Sequence, residues 1–235
     1  PKANRFGRHR GFGRLIARLT LVGVIAFQSG RGLVQSDESW PQWRGPQRNG
    51  VVEGVAWPQT LGVESLSRSW RVELGDGYPG PIVSGGRVFT VESGSKKVET
   101  VRAFDQETGE LLWDRAWAGG MKVPFFAAKN GSWVKSTPAT DGKSLLVGGM
   151  QELLVSLDVE TGEENWQIDF SNLLKSERPS FGFVCSPVID DGFVFVQAGG
   201  GIAKIDIETG ELVWHVGAGG DGMNDGAFSR LLSAI

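Results

Sequence analysis

Short runs of apolar, largely β-branched or aromatic residues recur through the second half of the chain, separated by turns rich in Gly and Asp. Runs of this length, bounded by turn residues, favour strands over helices. We therefore predict an all-β fold of short antiparallel strands. The last complete unit illustrates the pattern, with four strands predicted at 183–189, 193–198, 202–207 and 211–216.

The same pattern occurs three times, and each copy contains the sequence Asp-x-x-Thr-Gly-Glu-x-x-Trp. Successive tryptophans of this motif are 53 and 48 residues apart. Four-stranded units repeated at about 40–50 residues are typical of a β-propeller. The repeated motif residues are Asp105, Thr108, Gly109, Trp113, Asp158, Thr161, Gly162, Trp166, Asp206, Thr209, Gly210 and Trp214.

The motif predicts a tight turn between the third and fourth strand of each unit. The Asp carboxylate can accept hydrogen bonds from backbone N–H groups two or three residues later, and Gly tolerates the positive φ that a bulged hairpin needs. The alternative role for the three aspartates is metal ligation, but their recurrence at one turn position favours the structural role. Each Trp, on the outermost strand, is expected to pack against the neighbouring unit.

Composition and charge indicate where the protein is located and exclude one class of partner. The chain has 235 residues, with 35 glycines and 10 prolines, which suits many short strands and tight turns. Seven basic residues and no acidic residue lie in 1–36, so the remainder has a net charge of -10 against -3 for the whole chain. So acidic a domain excludes nucleic acid as the expected partner.

The first 36 residues have the three-part layout of a secretory signal peptide. A basic region is followed by a nine-residue apolar run, LTLVGVIAF at 19–27, and a cleavage position after Ser36. The run is shorter than the roughly 20 residues that span a bilayer. We expect an exported protein in the periplasm or outside the cell; an uncleaved segment, anchoring the protein in a membrane, is the alternative and the only membrane contact expected.

The three motifs resemble the pyrroloquinoline-quinone (PQQ) type repeat of the quinoprotein alcohol dehydrogenase-like superfamily. The resemblance covers residues 70–235 and implies a propeller of seven or eight blades, docked together by the repeated tryptophans. Non-catalytic exported members include the propeller lipoprotein of the β-barrel assembly machinery. The segment WPQWRGP at 40–46 is similar to openings found in both the dehydrogenases and the non-catalytic relatives, so it does not separate them.

Three repeats are fewer than the four blades that a closed ring needs. We therefore expect a fragment of a longer product that is a monomeric ring at full length; a ring completed by several chains is the alternative. The segment around Trp70 resembles the last strand of a preceding blade. The predicted divisions are a signal peptide at 1–36, an N-terminal extended segment at 37–69, and a partial propeller at 70–235, with blades at about 78–117, 134–170 and 183–217 and the start of another at 225–235.

Two functions remain open, and the first is a non-catalytic scaffold that binds protein or other cell-envelope partners. Rigid blades would present recognition loops. The long connection at 114–135 is the candidate partner-binding loop, because aromatic residues are enriched at protein interfaces. The aromatic residues of this connection are Trp117, Phe125, Phe126 and Trp133. Their rings could instead cap the ends of the blades.

The second hypothesis is a PQQ- and calcium-dependent oxidoreductase acting on alcohols or sugars, with its site largely in blades beyond this sequence. That chemistry needs oxygen ligands for Ca²⁺ and an Asp base. The alcohol-oxidising branch of the family also places two adjacent cysteines against the cofactor, whereas this chain has only Cys185, expected to be a buried structural thiol. Asn130, Asn224 and Asp225 are possible ligands that no spacing singles out. We therefore expect no catalytic residue, metal site or cofactor, and keep PQQ with calcium as the alternative.

Overall fold

The computed structural model describes residues 39–52, 54, 58–94 and 98–217. The signal-peptide prediction for 1–36 and the predicted start of a further repeat at 225–235 lie outside these residues. Among the described residues there is one short α-helix, α1 at Phe170–Leu174, and a 3-10 helix at Ala128–Asn130. No helix in this part of the chain is long and apolar enough to cross a membrane.

In the described part of the chain, twelve strands form three separate four-stranded antiparallel sheets, as the repeats predict. In each sheet the strands follow chain order from one edge to the other. The first sheet consists of β1 at Ile82–Ser84, β2 at Arg87–Ser93, β3 at Val98–Asp105 and β4 at Leu111–Ala118. The second consists of β5 at Ala139–Thr140, β6 at Ser144–Gly149, β7 at Leu153–Asp158 and β8 at Glu164–Asp169. The third consists of β9 at Val188–Asp190, β10 at Phe193–Ala198, β11 at Gly201–Asp206 and β12 at Leu212–Val216.

The strand boundaries of the third sheet differ from the prediction mainly at its first strand. The sequence predicts a strand from 183, but pairing begins only at Val188. Pro187 directly precedes this strand, and a proline has no N–H to contribute to a ladder. Asp190 belongs to β9, and the turn to β10 is made by Asp191 and Gly192, both at positive φ.

The Asp-x-x-Thr-Gly turn has the same hydrogen bonds in all three sheets. In the first sheet, Asp105 Oδ1 accepts from the N–H groups of Glu107 and Thr108, at 3.0 and 2.8 Å, and from the Thr108 hydroxyl at 2.9 Å. Asp158 and Asp206 accept the equivalent bonds. The turn chemistry expected from the sequence is therefore present, and these carboxylates are engaged by their own turns.

The motif glycines also provide room for the tryptophan of the preceding unit. A Cβ on Gly162, which has φ +68°, would lie 2.6 Å from the indole of Trp113. Trp113 Nε1 donates to the carbonyl of Val159 at 3.1 Å. Trp166 packs on Gly210 in the same way and donates to Ile207. The expected docking of tryptophans against the next sheet is thus confirmed at two junctions.

Trp70 makes this contact with the first sheet, although no strand is assigned around it. Its indole lies against Gly109, and its Nε1 donates to the Gln106 carbonyl at 2.9 Å. At the other end of the series, Trp214 is 39 % exposed and packs on Phe195 of its own sheet. No sheet within the described residues covers this last surface.

Two apolar cores lie between consecutive sheets. The first joins Ile82, Phe89 and Val101 of the first sheet to residues such as Leu145 and Val155 of the second. The second core joins residues of the second and third sheets, and it includes Leu146, Leu154, Phe170, Phe183, Val194 and Ile205. Each sheet therefore contributes one face to a core shared with its neighbour, which is how the blades of a propeller pack.

The N-terminal segment pairs with the inner edges of two sheets. Trp40 and Val83 exchange backbone hydrogen bonds of 2.7 and 3.0 Å, and Thr140 N–H donates to the Pro41 carbonyl at 2.9 Å. The Trp40 ring packs against Gly45, which has φ +80°. This segment therefore holds the first two sheets together along their innermost strands.

Candidate functional site

The strand order places the long connections between sheets at one end of the molecule. In a four-stranded meander, the turns after the first and third strands lie at one end, and the chain leaves the fourth strand at the other. We call the end formed by residues 119–138 and 170–187 the connection face. The opposite end, which we call the turn face, is formed by the hairpin turns at 85–86, 106–110, 141–143, 159–163, 191–192 and 207–211.

Two phenylalanines project from the connection face. Phe125 is 91 % exposed and Phe126 is 56 % exposed, in the turn that precedes the 3-10 helix. Their rings meet edge to face with centroids 5.7 Å apart, and Phe126 makes a similar contact with Phe181, 6.1 Å away. Phe181 belongs to the next connection, so the two connections meet at an aromatic cluster.

Trp133 is positioned differently from these phenylalanines. Its ring is half-buried and lies 5.7 Å from that of Tyr78. Lys135 lies beside them, with its Nζ donating to the Trp133 carbonyl at 3.1 Å. Burial lowers the pKa of Lys135 below its usual value, while nearby Glu99 acts in the opposite direction. Trp133 therefore contributes to the base of the face, and only part of it is available to a partner.

The sequence-based placement of Trp117 in a loop is wrong, because β4 extends to Ala118 and includes it. Strand pairing continues there with Glu99 opposite Trp117. The indole Nε1 donates to Glu99 Oε2 at 2.8 Å, and the ring packs against the first core. Trp117 thus supports the face from below and is not one of its exposed contacts.

Glu99 is a buried carboxylate that joins the first two sheets beneath the connection face. It is 1 % exposed, and its Oε1 accepts from the backbone N–H of Met150 at 2.9 Å. Met150 directly follows β6, so a side chain of one sheet caps a turn of the next. Burial raises the pKa of Glu99, against the hydrogen bonds from Met150 and Trp117 and the charge of Lys135, which lower it.

Glu152 repeats this arrangement between the second and third sheets. It is also 1 % exposed, and its Oε1 accepts from the N–H of Gly199, the residue directly after β10, at 3.1 Å. Its Oε2 accepts from the Ser171 hydroxyl at 3.2 Å. Burial raises the pKa of Glu152, partly offset by these two hydrogen bonds.

Neither glutamate is among the residues predicted from the sequence, although the sequence contains a signal for them. Glu99 and Glu152 each lie six residues before the motif aspartate of their own repeat. The equivalent position in the third repeat is Gly200. A buried glutamate at a fixed repeat position therefore marks the two junctions that the described residues contain.

The predicted motif aspartates and threonines lie at the turn face, away from the phenylalanines. Hydrogen bonds from the Thr backbone and hydroxyl groups lower the pKa values of Asp105 and Asp206. The Thr161 backbone N–H is the largest cause of the lowered pKa of Asp158. The structure thus separates the repeat motif from the candidate partner-binding residues.

Few of the side chains considered for a cofactor or metal site lie among the described residues. No group of three or more His, Cys, Asp or Glu side chains that could hold a metal ion occurs among them. Cys185 is buried, as expected, and its carbonyl accepts from Ser136 Oγ at 2.8 Å. The Asn130 side chain and residues Asn224 and Asp225 lie outside the part of the chain that the structure describes.

Comparisons with known proteins find curated proteins whose sequences are similar to part of this chain. The chain is 25 % identical over 152 residues to outer membrane protein assembly factor BamB of Shewanella oneidensis, covering 62 % of this chain and 35 % of that protein. It is 25 % identical over 122 residues to an uncharacterised protein of Rickettsia conorii, covering 49 % and 27 %. The chain thus spans about a third of the length of the curated relatives it matches.

Among solved structures, the quinohemoprotein alcohol dehydrogenase of Comamonas testosteroni matches with a TM-score of 0.54 and 22 % identity. The match covers 76 % of this chain and 27 % of that one, and it supports the fold alone. A family model described as outer membrane protein assembly factor BamB matches residues 53–121 and 97–234. The chain therefore belongs to this family of PQQ-type propeller repeat proteins.

Proposed function

We propose that this chain is part of an exported, non-catalytic β-propeller that binds a protein or another component of the cell envelope. The observation that carries the proposal is the exposed pair Phe125 and Phe126 on the connection face. A contiguous exposed apolar patch on a soluble protein marks an interaction site. The family membership supports an envelope location, since the matching model is described as an outer membrane protein assembly factor.

The sheets beneath the face give these rings a rigid support. Docked tryptophans hold the sheets together near the turn face, and the carboxylates of Glu99 and Glu152 hold them near the connection face. A binding surface loses less conformational entropy on association when its support is already ordered. The arrangement therefore suits recognition by a preformed surface.

Site-specific photocrosslinking tests the proposal. We would place p-benzoylphenylalanine at Phe125 and, as a control, at Lys143 of the turn face, in the full chain produced in its own cells. Both positions are exposed, so neither substitution should disturb a core. We expect an adduct with an envelope component from position 125 only. Identical adducts from both positions, or none from either, would reject the connection face as the binding surface.

A calorimetric titration with PQQ, with and without Ca²⁺, separates this proposal from the oxidoreductase alternative. We expect no saturable heat in either case. Saturable binding at micromolar or lower concentration of PQQ that requires Ca²⁺ would favour the oxidoreductase instead.

A further inference from the structure

Charge is divided between the two ends of the molecule. The connections at 119–138 and 170–187 contain one acidic residue, Glu177, and five basic ones: Lys122, Lys129, Lys135, Lys175 and Arg178. The turn face contains one basic residue in its turns, Lys143, and eight acidic ones: Glu107, Glu110, Asp141, Glu160, Glu163, Asp191, Glu208 and Glu211. Arg178 forms an ion pair with Asp169 at 3.3 Å, and the remaining basic residues still make the connection face of this acidic protein locally basic.

The negative charge of the turn face is reinforced by the motif aspartates. Asp105, Asp158 and Asp206 lie directly before the turns, and their pKa values are lowered by hydrogen bonds within those turns. These carboxylates therefore stay ionised at neutral pH. An extended anionic surface would repel this end and attract the other, which orients the molecule.

The most exposed part of the connection face combines apolar rings with lysines. Phe125 and Phe126 lie between Lys122 and Lys129 in sequence, and both lysines are exposed. Phe125 does not lie in a groove, since it is 91 % exposed. An apolar tip flanked by flexible cations can enter the headgroup region of a bilayer, with the lysines remaining at the phosphates.

We infer that the connection face docks on an anionic phospholipid surface, with Phe125 and Phe126 inserted and Lys122 and Lys129 at the headgroups. The residue types favour lipid over a protein partner, because Lys is depleted in protein interfaces and Arg is enriched. The inference rests on the proposed function for the envelope location and names its partner at this face. It also differs from the sequence expectation that only segment 1–36 would contact a membrane.

Vesicle binding by the full chain tests the inference. We would compare vesicles of phosphatidylcholine containing about 30 mol % phosphatidylglycerol with vesicles of phosphatidylcholine alone, by co-sedimentation. Removing one lysine charge, in Lys122→Gln or Lys129→Gln, should weaken binding to the anionic vesicles about fivefold, and removing both about thirtyfold. Lys143→Gln is the matched control and should leave binding unchanged.

The aromatic contribution is tested separately by Phe125→Ser, which should weaken binding at least about tenfold while the thermal unfolding midpoint stays unchanged. Binding of the wild type should also fall when salt rises from about 0.05 to about 0.5 M. Because every variant retains the basic segment 1–36, differences between variants report on the face itself.

Two kinds of result would overturn the inference. One is equal binding to both kinds of vesicle, or an equal loss in Lys122→Gln and Lys143→Gln. The other is a protein adduct from position 125 in the crosslinking experiment together with no effect of Phe125→Ser on vesicle binding. The second result would retain the proposed function and replace the lipid by a protein partner at this face.

Discussion

Replacing Glu99 gives the sharpest test of how the connection face is supported. Its carboxylate accepts from the Met150 N–H and from Trp117 Nε1, and Met150 is fully buried. A buried donor left without an acceptor costs about 1–3 kcal/mol. Glu99→Gln retains one acceptor oxygen but turns an NH₂ group towards the other donor, so we expect a loss of about 1–3 kcal/mol in the free energy of unfolding. Glu99→Ala leaves both donors without an acceptor and opens a cavity, so we expect about 2–5 kcal/mol.

The contribution of Glu99 to the free energy of unfolding depends on pH with a definite sign. The pKa of Glu99 is raised in the folded protein by burial, so the folded state binds this proton more tightly than the unfolded state. The associated stability is full below the unfolded pKa and is lost as pH rises through the folded pKa. The stability margin of the wild type over Glu99→Gln should therefore be larger at about pH 5 than at about pH 8.

Urea unfolding followed by tryptophan fluorescence and circular dichroism measures these differences. Glu163→Gln is the matched control, because Glu163 is exposed in a turn at the other end of the sheets. We expect the control to stay within about 0.5 kcal/mol of the wild type. If Glu99→Gln were equally neutral at pH 7, the carboxylate would not be joining the sheets and the reasoning would be refuted.

Three further predictions concern the junctions between repeats and the turns within them. Gly162→Ala should destabilise by about 1–3 kcal/mol more than Gly192→Ala in urea unfolding, because both glycines have positive φ but only a Cβ at Gly162 would meet an indole ring. Equal losses would show that backbone strain alone sets the cost. The pKa of Asp158 is lowered in the folded protein, so its ionised carboxylate stabilises the fold at pH values above the unfolded pKa of 3.8. Stability should therefore fall as pH drops through the folded pKa. In Asp158→Asn, the unfolding midpoint should decrease less over this acid range. Ser136→Ala removes a buried hydrogen bond to the Cys185 carbonyl and should cost about 1–3 kcal/mol by the same urea assay, whereas an unchanged midpoint would exclude a stabilising role for this link between the two connections.

The fold was predictable because its determinants are local and repeated. Asp105 and Thr108 build their turn within four residues, and three copies of that turn define the period of the sheets. The docking of Trp113 on the next repeat was predictable for the same reason, since a large ring recurs on each outer strand. The start of the third sheet was not predictable, because Phe183 and Cys185 are buried in the core without belonging to a strand.

The candidate site was less predictable, because it depends on contacts between repeats. Trp117 and Phe125 look alike in the sequence, as aromatic residues after the motif tryptophan. Strand pairing opposite Glu99 buries part of the first, whereas the second projects from a turn. Their different roles follow from a glutamate 18 residues before Trp117, which no local pattern connects to it.

The same division of roles separates the residues that set the geometry of the sheets from the residues exposed on the connection face. The motif residues and the buried glutamates form bonds within the sheets and between them, so substitutions there change stability first. Phe125, Lys122 and Lys129 are exposed and contribute little to either core. Changes at these three positions should alter binding without altering the stability of the fold. If a substitution at one of them changes both binding and stability, that residue is part of the supporting structure.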